Sequence, residues 1–237
     1  MFPRFLILAV FALALAISGR ADAAKVVGKV VVTEPFRRAL ADAELKDANS
    51  VKAGYWNEQN AVRDIEPPFV ALDADIGVAL VLEGASAPKT GDPVEANLRA
   101  GGLEKRVVVV RPGTNVKFRS IDPFDHELYV PNADWFPPEK QSRGAFRMIE
   151  FAKEGVFEVR CRLMPHFRAW IVVTSATYVL PTDPNGSFSL DGLQPGKYTL
   201  RVFHGGKWVA EQKFEIANER GDVPLEVKLD VPSAAPA

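Results

Sequence analysis

The chain has 237 residues, 47% of them hydrophobic and 25% charged, with a formal net charge of −1. That length is enough for one large or two small cores, and charge so near balance excludes the strong positive field that general nucleic-acid binding needs. There is one cysteine, Cys161, so an internal disulfide is excluded and the thiol must be buried, reactive, intermolecular or bound to metal.

The first residues read as a secretory signal. Arg4 supplies the positive end, and Phe5 to Ile17 form an apolar run of signal length that is short for a bilayer span. Ala21-Asp22-Ala23 puts small residues where a signal peptidase reads, so cleavage is expected after Ala23. The expected product is periplasmic or secreted, about 210 residues long, with no membrane span after signal cleavage.

Short strand signals then recur with turn residues between them, the pattern of an all-β sandwich or barrel. Val26 to Val32 is an apolar run. Glu34 to Pro68 is weaker, with a short helix over Phe36 to Lys52 that lacks a clean cap and uses Phe36, Leu40 and Leu45 as its stripe. Ile76 to Glu83 is the next apolar run, and Ala85 to Pro93 reads as a linker or loop. Arg106 to Val110 has the look of a buried strand, stopped by Pro112-Gly113. Val116 to Arg119 alternates. Asn132 to Arg147 reads as a long loop rich in Pro and aromatic residues, a kind that is usually functional or mobile.

Val156 to Cys161 alternates again, and the mostly apolar Arg168 to Thr174 is expected as a central strand. Asn185-Gly186 predicts a tight hairpin joining Tyr178–Leu180 to Phe188–Leu190. Pro195-Gly196 and Gly205-Gly206 mark two more turns. Between them Tyr198, Leu200 and Val202 fall on one face, and Lys197, Thr199 and Arg201 on the other. Trp208 to Ile216 and Leu225 to Leu229 complete the strands, and residues 231–237 read as a disordered Pro/Ala tail.

Chemistry concentrates between strands. Cys161-Arg162-Leu163-Met164-Pro165-His166 carries a thiol, a thioether and an imidazole, and Asp122-Pro123-Phe124-Asp125-His126 carries a second imidazole. One thiolate, two imidazoles and a thioether form the ligand set of a mononuclear copper electron-transfer site. Cys161 would be the strongly donating ligand, His126 and His166 the imidazoles, and Met164 the axial or a fourth ligand. Met164 and His166 point the same way only if that piece is extended. Bland readings stand beside these. Cys161 as a core thiol is one. Others are His126 and His166 as surface loop residues and Met164 as packing.

Glu127 is a candidate ligand for a harder, non-blue site, and His204 reads as a turn residue bonded to backbone. Arg160, Arg162 and Arg168, with Asp122, Asp125 and Glu127 nearby, read as a solvated face, as ion pairs or as a docking surface for a redox partner. Phe124, Tyr129, Trp135, Phe136 and Phe167 read as a water-excluding rim or as ordinary core. No nucleophile–base pair, phosphate-cradling Gly-rich loop or zinc-type Cys pair is evident, so no enzyme is expected.

Three pieces carry a resemblance. They are Val109 to Phe118, Asp122-Pro123-x-x-His126, and Gly155 to Cys161 running on to Arg168-Ala169-Trp170-Ile171-Val172-Val173. Over roughly residues 100–175 the chain resembles periplasmic cupredoxin-like proteins of the plastocyanin/methylamine-utilisation type. The resemblance implies a Greek-key β-barrel or sandwich holding one mononuclear copper, with electrons passed to and from protein partners.

A second resemblance rests on Gly28-Lys29-Val30, Gly77 to Gly84, Thr182 to Leu190 and Leu193 to Val202. It is to carboxypeptidase regulatory-like (transthyretin-like) sandwiches. Together they imply a sandwich split between 25–93 and 176–230 with a cupredoxin-like domain, 94–175, inserted in it. Two consecutive domains are the alternative. The ligand order departs from the family's: Met164 stands where the family's histidine falls, Phe167 where its methionine falls, and His166 comes two residues late. The changed order keeps two other readings open: a copper-free module that binds a protein or carbohydrate, and a protein that stores or delivers copper.

Overall fold

The computed structural model describes residues 24–36, 76–86, 88, 91–180, 182, 186–217 and 222–229, with the side chains of Leu80 and His166 outside that set. The expected signal peptide, most of the expected helix and the expected disordered tail lie outside the described residues. Among the described residues the chain is nearly all β. The strands are β1 (Ala24–Val32), β2 (Ile76–Leu82), β3 (Val94–Arg99), β4 (Gly102–Leu103), β5 (Val107–Val110), β6 (Thr114–Ser120), β7 (His126–Tyr129) and β8 (Glu139–Gln141). They continue as β9 (Phe146–Phe151), β10 (Gly155–Cys161), β11 (Met164–Val173), β12 (Tyr178–Leu180), β13 (Ser187–Leu193), β14 (Gly196–His204), β15 (Lys207–Ile216) and β16 (Asp222–Leu229).

Four sheets form, in the orders β13-β1-β16, β12-β2-β14-β15, β4-β3-β6-β9 and β5-β11-β10-β7-β8. The first two share a core in which Val26, Val30, Tyr198, Leu200, Val202 and Leu229 are buried. Alternation along β14 does this: Tyr198, Leu200 and Val202 turn inward while Thr199 and Arg201 are half-exposed. Gly28 also faces in, because the Phe188 ring occupies the space a Cβ would need. The other two sheets enclose a second core built on Leu98, Val116, Phe118, Phe136, Phe151, Val159 and Ile171. Each such side chain fully buried contributes roughly 1.5–3 kcal/mol. The four sheets are hydrogen-bonded separately, so sandwiches form and not a closed barrel.

The chain leaves the first sheet pair after β2 and returns to it with β12. Where it returns, Arg111 Nη2 donates to Thr177 O at 2.8 Å and Nε to Ala176 O at 3.4 Å. A small buried cluster of Val107, Val172 and Phe203, flanked by Trp170 and Trp208, joins the two sheet pairs. The tip of the β14–β15 hairpin rests here. Gly205 and Gly206 both have positive φ, 55° and 87°, as a two-residue turn of this kind requires.

Three expectations change. The segments around Asn185-Gly186 are not hairpin partners: β12 pairs with β2, whereas β13 pairs with β1 in the opposite sheet. The chain crosses between sheets there, and a turn signal does not distinguish a crossing from a hairpin. The expected loop Asn132 to Arg147 contains β8, which pairs with β7. Residues 34–36 are helical, beginning ahead of the expected start at Phe36, and they do have a cap: Thr33 Oγ1 accepts the Phe36 amide at 3.4 Å.

Candidate metal centre

The site is assembled at one end of the second sandwich by the short strand β7. Alternation there turns His126 and Leu128 inward and leaves Glu127 and Tyr129 half-exposed. Strand β10 ends beside it, with Cys161 across from Leu128. Cys161 Sγ therefore comes to 4.0 Å from His126 Nδ1. Both are enclosed, at 3% and 0% relative exposure. The Glu127 amide donates to Sγ at 3.3 Å, and the Arg162 amide donates to Glu127 O at 2.9 Å, so the strand junction itself fixes the sulfur.

The other imidazole nitrogen, Nε2, lies 3.0 Å from Asp122 Oδ2. Asp122 is buried and accepts two backbone amides as well, Ala100 N at 2.6 Å and Gly101 N at 3.0 Å. These belong to the two-residue turn between β3 and β4, where Arg99 pairs with Gly102. Both turn residues are left-handed, Ala100 at φ 54° and Gly101 at 77°. Glycine adopts that conformation freely, whereas alanine gives up roughly 1–2 kcal/mol. Aromatic rings close the remaining sides. Phe124 packs 5.3 Å from the His126 ring on the solvent side, and buried Phe167 meets it edge-on at 6.4 Å.

Met164 is placed by strand register. In the β10–β11 hairpin it pairs directly with Cys161, and the next pair is Arg160 with Arg168, so residues 165–167 form an irregularity in β11. Directly opposed residues share a face of the sheet. Half-buried Met164 accordingly packs against the same core as Cys161. His166 lies within β11, but its side chain is outside the described residues.

Several sequence expectations resolve differently. Glu127 turns its carboxylate to Arg162 Nε at 3.4 Å, on the opposite face of β7 from His126. Asp122 meets His126 and the backbone amides of Ala100 and Gly101. Arg160 and Arg168 both pair with Glu158. Of the aromatic candidates, Phe124 and Phe167 flank His126, while Phe136 is core against Phe118 and Phe151. His204 lies in the first sheet pair, edge-on to Phe36 at 5.6 Å. Asp122 in its buried role was missed, since nothing in the sequence links it to a turn some twenty residues earlier.

The donors suit a soft metal ion. Metal–imidazole and metal–thiolate bonds of roughly 2.1 and 2.3 Å let one ion bridge a gap of up to about 4.4 Å, and the His126–Cys161 separation of 4.0 Å lies within that reach. An imidazole whose second nitrogen is held by a carboxylate is a common arrangement for a metal ligand. Among the described residues no group of three or more His, Cys, Asp or Glu is placed to hold a metal. A third donor from this set would be the thioether of Met164 or the imidazole of His166.

No family model matches the chain, and no curated protein matches it. Among solved structures, it is similar to amicyanin from Paracoccus versutus at 14% identity and TM-score 0.33, over 40% of this chain and 98% of that one. It is similar to a purple cupredoxin from Nitrosopumilus maritimus at 17% identity and TM-score 0.32, over 34% and 99%. A copper-containing nitrite reductase from Thermus scotoductus shares 24% identity at TM-score 0.32, over 40% of this chain and only 25% of that one. In each case the likeness extends over less than half of the present chain.

Proposed function

We propose that this chain is a periplasmic or secreted copper-binding protein that passes single electrons between protein partners and transforms no substrate of its own. The observation that carries this reading is the enclosed pair His126 and Cys161, Nδ1 to Sγ 4.0 Å, with Met164 as the register partner of Cys161. Cys161, His126 and Met164 would hold one copper ion, with His166 as the further candidate. Bound copper supplies one-electron redox chemistry, and a thiolate–imidazole–thioether set accepts both oxidation states. The protein's own part is rigidity: sulfur fixed by a backbone amide, imidazole fixed by a carboxylate, and water excluded by Phe124 and Phe167. Exposed Phe124 and Leu163 near the site leave an apolar surface for a partner. Strands β1, β2 and β12 to β16 are read as a transthyretin-like sandwich interrupted by the cupredoxin-like segment 94–175.

One observation favours a second reading, storage or delivery of Cu(I). A thioether, not an imidazole, stands across from the thiol, and soft sulfur ligands select Cu(I). Copper titration of the protein and of Cys161→Ser, with visible absorption and metal analysis, separates the readings. One copper per chain with an intense thiolate-to-Cu(II) band, lost in the variant, supports electron transfer. Stoichiometric Cu(I) binding with no stable coloured Cu(II) form supports delivery. No binding means that these sandwiches serve as an interaction module for a protein or a carbohydrate.

A further inference from the structure

We infer that the β3–β4 turn and Asp122 form a positioning relay that fixes the ring nitrogen His126 presents to Cys161 before any metal arrives. The inference deepens the metal-site reading and, for its affinity arm only, rests on it. The chain of contacts is short and buried. Ala100 N and Gly101 N donate to the two oxygens of Asp122 at 2.6 and 3.0 Å, and Oδ2 lies 3.0 Å from His126 Nε2. On the far side of the ring, Nδ1 faces Sγ at 4.0 Å.

An ionised carboxylate only accepts hydrogen bonds, and a neutral imidazole has one N–H and one lone pair. With Asp122 as the acceptor, Nε2 carries the N–H, and in the neutral ring the Nδ1 lone pair is directed at Cys161. The side chain of Asp122 is 5% exposed and that of His126 0%, so water does not offer either an alternative partner. Both amides of the β3–β4 turn converge on one carboxylate, a backbone concavity suited to an anion. Ala100 keeps its left-handed conformation despite its Cβ, and strain of this sort persists only where the surroundings over-determine it. Asp122 is thus a positioning residue that acts through His126, and the turn on a neighbouring strand pair acts through Asp122.

The test begins with the unaltered, metal-free full chain. Long-range proton–nitrogen NMR correlations of ¹⁵N-labelled histidine, with His126 assigned by His126→Gln, should show a pure Nε2–H tautomer near neutral pH. Asp122→Asn offers one acceptor oxygen to three donors, so the tautomer should become mixed. Its Cu(I) affinity, measured by competition with a chelator, should fall about 10–100-fold, the usual effect of losing such a partner. Ala100→Gly, which can hold the same turn, should keep both the tautomer and the affinity. A His126 that is Nδ1–H in the unaltered chain overturns the relay without any variant having to fold. So does an Asp122→Asn protein with unaltered tautomer and affinity. An Nε2–H tautomer lost in Asp122→Asn, in a chain that binds no copper, would sustain the relay and refute the metal reading.

Discussion

Met164 stands directly across the β10–β11 hairpin from Cys161, with only Arg162 and Leu163 between them. This pairing decides which side chain is offered next to the thiol. Replacing Met164 by His should exchange a soft donor for a borderline one, stabilise Cu(II) and lower the reduction potential. On the proposed copper reading, Met164→Ala should weaken Cu(I) binding by roughly tenfold or more, since loss of even an outer-shell partner costs that much. Voltammetry and chelator competition measure the two effects. Unchanged values in both variants would remove Met164 from the ligand set.

The Cys161 thiol, buried at 3% exposure beneath the β7 junction, should be inert in the folded metal-free protein. A thiol reagent should label no site under native conditions and one site after denaturation. Rapid labelling of the folded chain would mean that the β7–β10 junction opens readily.

The docking of the two sheet pairs should depend on Gly206. A Cβ there would lie 2.9 Å from the Trp170 ring, at a φ of +87°. Gly206→Ala should cost about 2 kcal/mol or more, from left-handed strain and overpacking together. The loss would appear as a lower Tm and altered tryptophan fluorescence. A variant with unchanged Tm would show that the hairpin tip yields easily.

On the outer face of β3 and β6, Glu95 and Lys117 are register partners whose side chains meet at 2.9 Å. The hydrogen bond from Lys117, and then its charge, hold the Glu95 carboxyl below its ordinary value. A depressed folded-state pKa means that the pair's stabilisation is present above the unfolded carboxylate's pKa and is lost as pH falls through the folded value. In Lys117→Met, a carboxyl ¹³C titration should show Glu95 moving back up, and the Tm gap to the parent should close at low pH. A Glu95 titration identical in the two proteins would mean the ion pair does not persist in solution.

Much of the fold could be read from the chain because its signals are local. Alternation along Lys197 to Val202 gave the buried face of β14, and Gly205-Gly206 gave its turn. The crossing near Gly186 could not be read this way, since a turn signal carries no information about which sheet the next strand joins. At the site, Cys161 and His126 were legible from residue type. Asp122 was not, because its partners are backbone amides of Ala100 and Gly101, which every sequence possesses. The placing of Met164 was also hidden: parity arguments along residues 161–168 fail at a register shift, and that shift appears only once β10 and β11 are paired.

Strand β1 takes β13 on one side and β16, in parallel, on the other, so that Lys25 meets Asp222 and Val32 meets Leu229. Both neighbours come from the far end of the polypeptide. During synthesis β1 therefore waits for partners that lie more than 150 residues further on. Strands β3 to β11, whose partners all lie within one stretch, can zip together in the meantime. So distant a pairing closes slowly, because the loop-closure entropy must be met before the contacts form. The β13-β1-β16 sheet is thus expected to close late, leaving β1 open to mispairing along the way.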